Sequence, residues 1–498
     1  MKKICLVLIS AFLVFSCTES KKTFELTHGV HISGVTILAG ENGDFSPFNG
    51  HVVTEGEKIL YVGEAEPKVR GEYRKIEGKG KYLIPGLIDS HVHITEVQGM
   101  AYQQLEKNPE LVAGFKAQMP RSYLYFGFTT LVNLGGISQD LIDFIHDQPL
   151  KPDLYHTGWS GASVANGYPM NFAPESIRFE ITPNFIYLES EAENIPDQYD
   201  PADHTPEAVV KRIRESGAIA VKAYYETGFH GMADLPVPTK EILVRLQEEA
   251  HKNGLVLTVH GNSLEAHAIL SEVGVDIIAH GLWNWGAYKS APKDSLPEEI
   301  KSVLDKQIEK QIGYTPTLTV LEGERVLADR VFLDDPRLRK VIPGAMITWY
   351  RSEEGQWFAK ELFEGYSPEE VNEIYGRIQA HGDLALKYLS DNGGLILFGT
   401  DTPSAPTYGN PPGLNGYAEI RMMHEAGVPL GKILASATVN NAAAFHLDSL
   451  VGSIAVGKRA NMLLLTKNPM EEVEAYDHID KIILGGEVVE REELSVRE

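Results

Sequence analysis

The first residues able to do chemistry are His91 and His93, two positions apart in the run "LIPGLIDSHVHI". A strand has a side-chain period of two, so both imidazoles point to one side and can chelate a single cation. Such a pair alone can also line a polar face. Preceded by Pro-Gly-Leu-Ile-Asp at the end of an apolar strand, it becomes one corner of a metal site. Lys222 interrupts the otherwise apolar "GAIAVKAYYE". A buried ammonium without a partner is costly, so this lysine must reach solvent, pair, or lose its charge. A neutral amine reacts with carbon dioxide to give a carbamate, whose two oxygens can bridge two metal ions. His260 ends "LVLTVH" and His280 ends "GVDIIAH", each where an apolar strand turns polar. Asp401 follows the apolar "LILFGT", placed to coordinate a metal and to accept a proton from metal-bound water. Tyr224, two residues beyond Lys222, shares its side of the strand. Its hydroxyl either steadies an oxyanion or packs the mouth of the site.

These residues need a scaffold that brings strand ends together. Between residues 85 and 445, apolar strands such as "TTLVNL", "AIAVKAYY" and "VDIIAH" alternate with helical stretches. "KEILVRLQEEAHKNG" is one such helix, capped by Thr239, with Ile242, Leu243, Leu246 and Ala250 on one face. Alternation of this kind predicts an α/β chain built as a (β/α)8 TIM-like barrel, which needs about 250 residues and here carries an insertion near 285–385. That charged, aromatic insertion is either a lid or an elaborated surface. The Pro- and Gly-rich 403–416 reads as a mobile loop bordering the active face. Strand-like runs at 24–84 and 446–498 predict a small composite β-sandwich made from both chain ends.

Residues 1–16 read as a signal peptide, with Lys2 and Lys3 before an apolar run too short to span a bilayer. "VFSC" resembles the lipidation box of bacterial lipoproteins, which makes Cys17 an acylated residue and 17–23 a lipid-anchored tether. The expectation is an exported chain held at the bacterial cell envelope, with membrane contact only through that anchor. Cys5 lies in the removed segment, so no internal disulfide can form in the mature chain. The 498 residues, 43% of them hydrophobic, suffice for a large core. A net charge of −24 argues against nucleic acid as a partner and leaves a small molecule as the expected substrate.

Together, "IPGLIDSHVHI", "GFTTLVNLGG", "AVKAYYE", "VTVHGNSLEAHAIL", "GVDIIAHG", "LFGTD" and the stretch from "ILASATVNN" to "GKRANMLLL" resemble the metal-dependent amidohydrolase superfamily. The resemblance covers nearly the whole mature chain and is strongest to the branch of imidazolonepropionase-like enzymes and Xaa-Pro dipeptidases. It implies that His91, His93 and Asp401 hold a buried metal, that His260 and His280 hold a second, and that the Lys222 carbamate bridges them. Zinc is the family precedent, although such ligands also accept manganese or iron. Departures fall near the substrate. Relatives carry Arg-Asp-Leu-Gly where this chain has Val132-Asn133-Leu134-Gly135, and the histidine of their Gly-Gly-His-Gly is missing from "GWSGASVANGYPMNF". Trp159, Tyr168 and Met170 make a more apolar pocket there if they face the site. Asn461 replaces an aspartate of relatives.

The reaction implied is hydrolysis of an amide, peptide-like or cyclic amide C–N bond by a metal-bridging hydroxide, a dipeptidase being one such enzyme. The alternatives are a mononuclear deaminase or imidazolone-type hydrolase on the same fold, and a catalytically inactive ligand-binding lipoprotein. Neither the substrate nor the oligomeric state follows from the sequence.

Overall fold

The computed structural model describes residues 22–228 and 234–497. The signal peptide and Cys17 lie outside the described residues. Among those described, no helix is long and apolar enough to cross a membrane.

The described residues form fifteen strands in chain order: β1 (Thr23–Ile37), β2 (Phe48–Glu55), β3 (Lys58–Gly63), β4 (Lys68–Glu77), β5 (Tyr82–Pro85), β6 (Leu87–Val92), β7 (Phe128–Asn133), β8 (Asp153–His156), β9 (Ala220–Tyr224), β10 (Val256–His260), β11 (Ile277–Ile278), β12 (Gly313–Tyr314), β13 (Met462–Leu465), β14 (Ile479–Leu484) and β15 (Glu487–Glu490). Two parallel sheets occupy the middle of the chain, one ordered β6-β7-β8 and the other β12-β11-β10-β9. Hydrogen bonds run on beyond both. The Ile219 N–H donates to the His156 carbonyl at 3.0 Å, which joins the end of β8 to the start of β9. On the other side, Leu397 N–H donates to Tyr314 O at 2.9 Å and Ser90 N–H to Phe398 O at 3.1 Å, so the segment around 395–400 lies between β12 and β6.

Parallel strands covered on both faces read as continuous apolar runs, and the two faces of β9 and β10 show why. Val221, Ala223, Leu257 and Val259 pack with Val209, Val210, Ile213, Leu243 and Leu246 of the flanking helices Pro206–Glu215 and Lys240–Lys252. Thr239 caps the second helix as expected, accepting from Ile242 N–H at 3.3 Å. Burying each such side chain contributes about 1.5–3 kcal/mol. The alternate residues Ala220 and Val256 join Ile88, Val132, Ile277 and Leu397 in a separate cluster on the opposite face. Lys222, Tyr224 and His260 continue along that second face, at the C-terminal ends of the strands.

Both chain ends build one eight-stranded sheet, ordered β15-β14-β13-β5-β1-β2-β3 with β4 also pairing β1. Its seam is the antiparallel pair β5–β13, where Tyr82 opposes Leu465 and Pro85 opposes Met462. Every β13 residue is buried, because the strand is covered on both faces. Met462 and Leu464 join Val30, Ile32 and Ile37, whereas Leu463 and Leu465 join the large core beneath, with Tyr125, Phe126 and Phe128.

The stretch 285–385 is largely helical, its longest helix being Pro368–Asp391, and it also contains β12. Trp283, Leu321, Val371 and Tyr375 form a small core that fastens it to the segment following His280. The loop 403–416 differs from expectation. Rather than standing free, it is mostly buried and pinned: Asn410 Nδ2 donates to Thr319 O at 2.8 Å and Asn415 Nδ2 to Thr402 Oγ1 at 2.7 Å. Its prolines and glycines serve close packing instead of mobility. A Cβ on Gly409 would sit 2.2 Å from the Gly323 carbonyl oxygen.

Candidate metal centre and active site

One cavity of about 160 Å³ gathers all seven residues singled out from the sequence: His91, His93, Lys222, Tyr224, His260, His280 and Asp401. His91 is in β6 and His93 just past it, their rings 5.3 Å apart. Lys222 and Tyr224 are in β9, His260 is the last residue of β10, and His280 stands two residues beyond β11. The His280 ring lies 4.4 Å from that of His260 and 4.9 Å from that of His91. Asp401 is bonded to β6 through its N–H, which donates to the His91 carbonyl at 2.7 Å. Its φ of 56° is left-handed, a sparsely populated region for a side chain other than glycine, and such strain is typical of functional positions.

The donors fit a divalent cation, and the contact between His91 and Asp401 is the test. His91 Nδ1 is 3.0 Å from the Ala279 carbonyl, which can only accept, so Nδ1 carries the proton and Nε2 a lone pair. That Nε2 lies 2.8 Å from Asp401 Oδ1 yet makes no hydrogen bond. An imidazole lone pair facing a carboxylate oxygen is repulsive unless a cation sits between them. Asp401 Oδ1 is also 2.7 Å from His93 Nε2. Ligand atoms of His91, His280 and Asp401 all fall within 4.8 Å of one another. The tightest group therefore joins His280 to His91 and Asp401, with His93 against the same carboxylate.

Burial prepares these groups as ligands. It drives the His91 imidazole down to about 3 and depresses His280 and His260 as well, so all three stay neutral. Burial alone would raise the Asp401 carboxyl, but positive charge at the histidine cluster facing it, which a bound cation would supply in place of protons, holds Asp401 well below the carboxylate range. Lys222 is 1% exposed, its Nζ has no hydrogen-bond partner among the described residues, and burial lowers it to about 7. An uncompensated ammonium is not tolerated there, whereas an amine or its carbamate is. Burial pushes the Tyr224 phenol up, which keeps it a donor. Close backbone approach shapes its surroundings, since a Cβ on Gly161 would meet the Tyr224 hydroxyl at 2.6 Å.

Of the three residues expected to make the pocket apolar, only Tyr168 lines it, its ring 4.7 Å from that of His260. Met170 is instead buried with Ala165, Phe179, Phe185 and Ile195, and Trp159 is 56% exposed outside the lining. At Trp159 it is the backbone that packs against Gly136, where a Cβ would sit 2.5 Å from the Trp159 carbonyl oxygen. The structure adds carboxylates that sequence reasoning missed. Glu226, 5% exposed, has Oε2 at 3.3 Å from both His260 Nε2 and Asn262 Nδ2, and Oε1 at 2.9 Å from Gly228 N–H. Its signal was the continued two-residue step from Lys222 through Tyr224. Glu96 lines the cavity from the turn after His93. Thr317, whose Oγ1 is 3.0 Å from His280 Nδ1, carried no signal.

The sequence matches the amidohydrolase family over residues 82–489. The chain belongs to that family, whose members are metal-dependent hydrolases of carbon–nitrogen bonds. Three solved structures show the same fold at low identity, each aligned over 93% of this chain. They are a prolidase complexed with N-methylphosphonate-L-proline (19% identity, 99% of its chain, TM-score 0.65), a Xaa-Pro dipeptidase with methionine in its active site (21%, 100%, 0.63) and molinate hydrolase (17%, 95%, 0.63). No curated protein matches the sequence.

Proposed function

We propose that this chain hydrolyses an amide or peptide-like C–N bond at a binuclear centre. His91, His93 and Asp401 would hold one divalent ion, His260 and His280 a second, and Lys222 would bridge them as its carbamate, with zinc the first candidate. The single observation that carries this is the contact of His91 Nε2 with Asp401 Oδ1 at 2.8 Å, which calls for a cation. The orphaned Lys222 amine supports the carbamate. The fold shared with the prolidase and the Xaa-Pro dipeptidase supports a peptide-like substrate.

When bound, the ions acidify a water and polarise the substrate carbonyl. Asp401 would orient a water through one carboxylate oxygen, take its proton and return it to the leaving nitrogen. Tyr224 donates its phenolic hydrogen to the developing oxyanion. The packed loop 403–416 supplies Pro403 and Ser404 to the rim.

The scaffold belongs to the same reading. The bonds from β8 to β9, and from β12 through 395–400 to β6, support one closed (β/α)8 barrel over 85–445 with an insertion near 285–385. The two-faced burial of β13 supports a small sandwich from 24–84 and 446–498. Residues 1–16 as an export signal and Cys17 as the lipid anchor at the cell envelope complete the proposal.

The test is reconstitution with zinc, manganese or cobalt in the presence and absence of bicarbonate, with metals counted per chain and dipeptides, N-acyl amino acids and lactams assayed. Two ions whose retention depends on bicarbonate, together with amide turnover, are expected. A single ion in a bicarbonate-independent enzyme overturns the carbamate bridge, and no amide turnover overturns the hydrolase.

A further inference from the structure

Apart from the groups assigned to metal binding, the described residues of the cavity wall carry one formal charge, and it is negative. Glu96 sits in the turn leaving β6, where its N–H donates to the His93 carbonyl at 3.0 Å. Its side chain is 53% exposed and lines the cavity, and its nearest cationic partner is His93 Nδ1 at 3.9 Å, beyond hydrogen-bonding reach. Among the described residues no arginine lines the cavity, and the one lysine is Lys222. The remaining wall consists of Gly135, Gly136, Tyr168, Pro169, Tyr224, Pro403 and Ser404.

Two of those residues bear on the sign of the ligand. Tyr168 and Tyr224 both line the cavity and meet edge to face, their rings 5.6 Å apart at 76°. Aromatic faces attract cations through their quadrupole and have nothing comparable to offer an anion. A carboxylate and two phenol rings around a small cavity form a receptor for an ammonium or guanidinium group. A substrate carboxylate directed at Glu96 meets a like charge and, among the described residues, no arginine or further lysine in the lining to hold it.

Resting on the amide-hydrolase reading, we infer that the enzyme selects amides carrying a cationic nitrogen within reach of Glu96 and disfavours those carrying a free carboxylate there. Glu96 is then a specificity residue: it binds the substrate and takes no part in breaking the bond. The cation can be the α-ammonium of an aminoacyl amide or the side chain of a basic residue, and the two sources share one chemistry.

Four anilides test this on the metal-reconstituted full-length enzyme: leucine p-nitroanilide with a free α-ammonium, and the Nα-acetyl p-nitroanilides of lysine, norleucine and glutamate. At least one ammonium substrate is expected to exceed the norleucine compound in kcat/KM by about tenfold to a hundredfold, the range of a charge-assisted hydrogen bond. The glutamate compound should fall below norleucine. Glu96→Gln should erase the cation preference, read as the ratio of kcat/KM for the lysine compound to that for the norleucine compound within the variant. Which ammonium substrate wins identifies the source. A neutral or anionic preference, or a cation preference that survives Glu96→Gln, overturns the inference. Calorimetric binding of Nα-acetyl-lysine amide against Nα-acetyl-norleucine amide decides where no anilide is cleaved. Tighter lysine binding that depends on Glu96 upholds the receptor while the hydrolase reading falls; equal binding overturns the receptor itself.

Discussion

Asp401 has two duties, ligand and proton carrier, and asparagine separates them, because it tolerates the left-handed backbone that Asp401 occupies and keeps one oxygen toward the cavity. Asp401→Asn should lower kcat by about 10²–10⁴-fold, the usual worth of a positioned acid–base group, in enzyme whose metal content is measured alongside. Glu226 acts through another residue. By accepting from His260 Nε2 it leaves Nδ1 of that ring as the ligand atom, so Glu226→Gln should weaken retention of one ion by about 10–100-fold in chelator competition while the other is held. Unchanged affinity for both ions would remove it from this role. At this scale the sequence was most legible for strand-borne residues, because a two-residue period in an apolar run states which side a polar group faces. It was least legible for Thr317 and Glu96, which reach the site from turns that have no periodicity to expose them.

Elements are fixed by groups the chemistry never touches. Glu419, in the helix Leu414–Glu425, is fully buried and accepts from Leu318 N–H, Thr319 N–H and Thr319 Oγ1 at 3.0, 2.8 and 2.9 Å. Burial outweighs those donors and raises its carboxyl from 4.5 to about 7. The folded state therefore holds this proton more tightly than the unfolded chain. Its contribution to stability is complete below about pH 4.5 and is lost as pH rises to about 7. Glu419→Gln should remove that pH-dependent loss, which paired denaturation curves at pH 5 and pH 8 would reveal. Leu257→Ala, in the wall between β10 and its helices, should cost about 2–5 kcal/mol by the same measurement. The alternation of strand and helix was evident from composition and spacing. The packing of loop 403–416 was not, since proline and glycine mark a turn and a tight contact with the same letters.

For the whole molecule, the consequential pairing is β5 with β13. Ending the chain at residue 461 removes three strands of the eight-stranded sheet and uncovers Ile84 and Leu83, so the truncated chain should be insoluble or sediment as aggregate where the full chain is soluble. Strand character at both ends was legible in the sequence, but which strand meets which was not, because pairing across such a separation leaves no local signal. That separation also sets a clock. A ribosome delivers the chain from its N-terminal side onward, and β5 waits with an open edge until β13 emerges, about 370 residues later. The histidines are all delivered long before the sheet next to them can be sealed. A chain interrupted between Asp401 and β13 would hold every proposed ligand but lack the seam that closes the sheet.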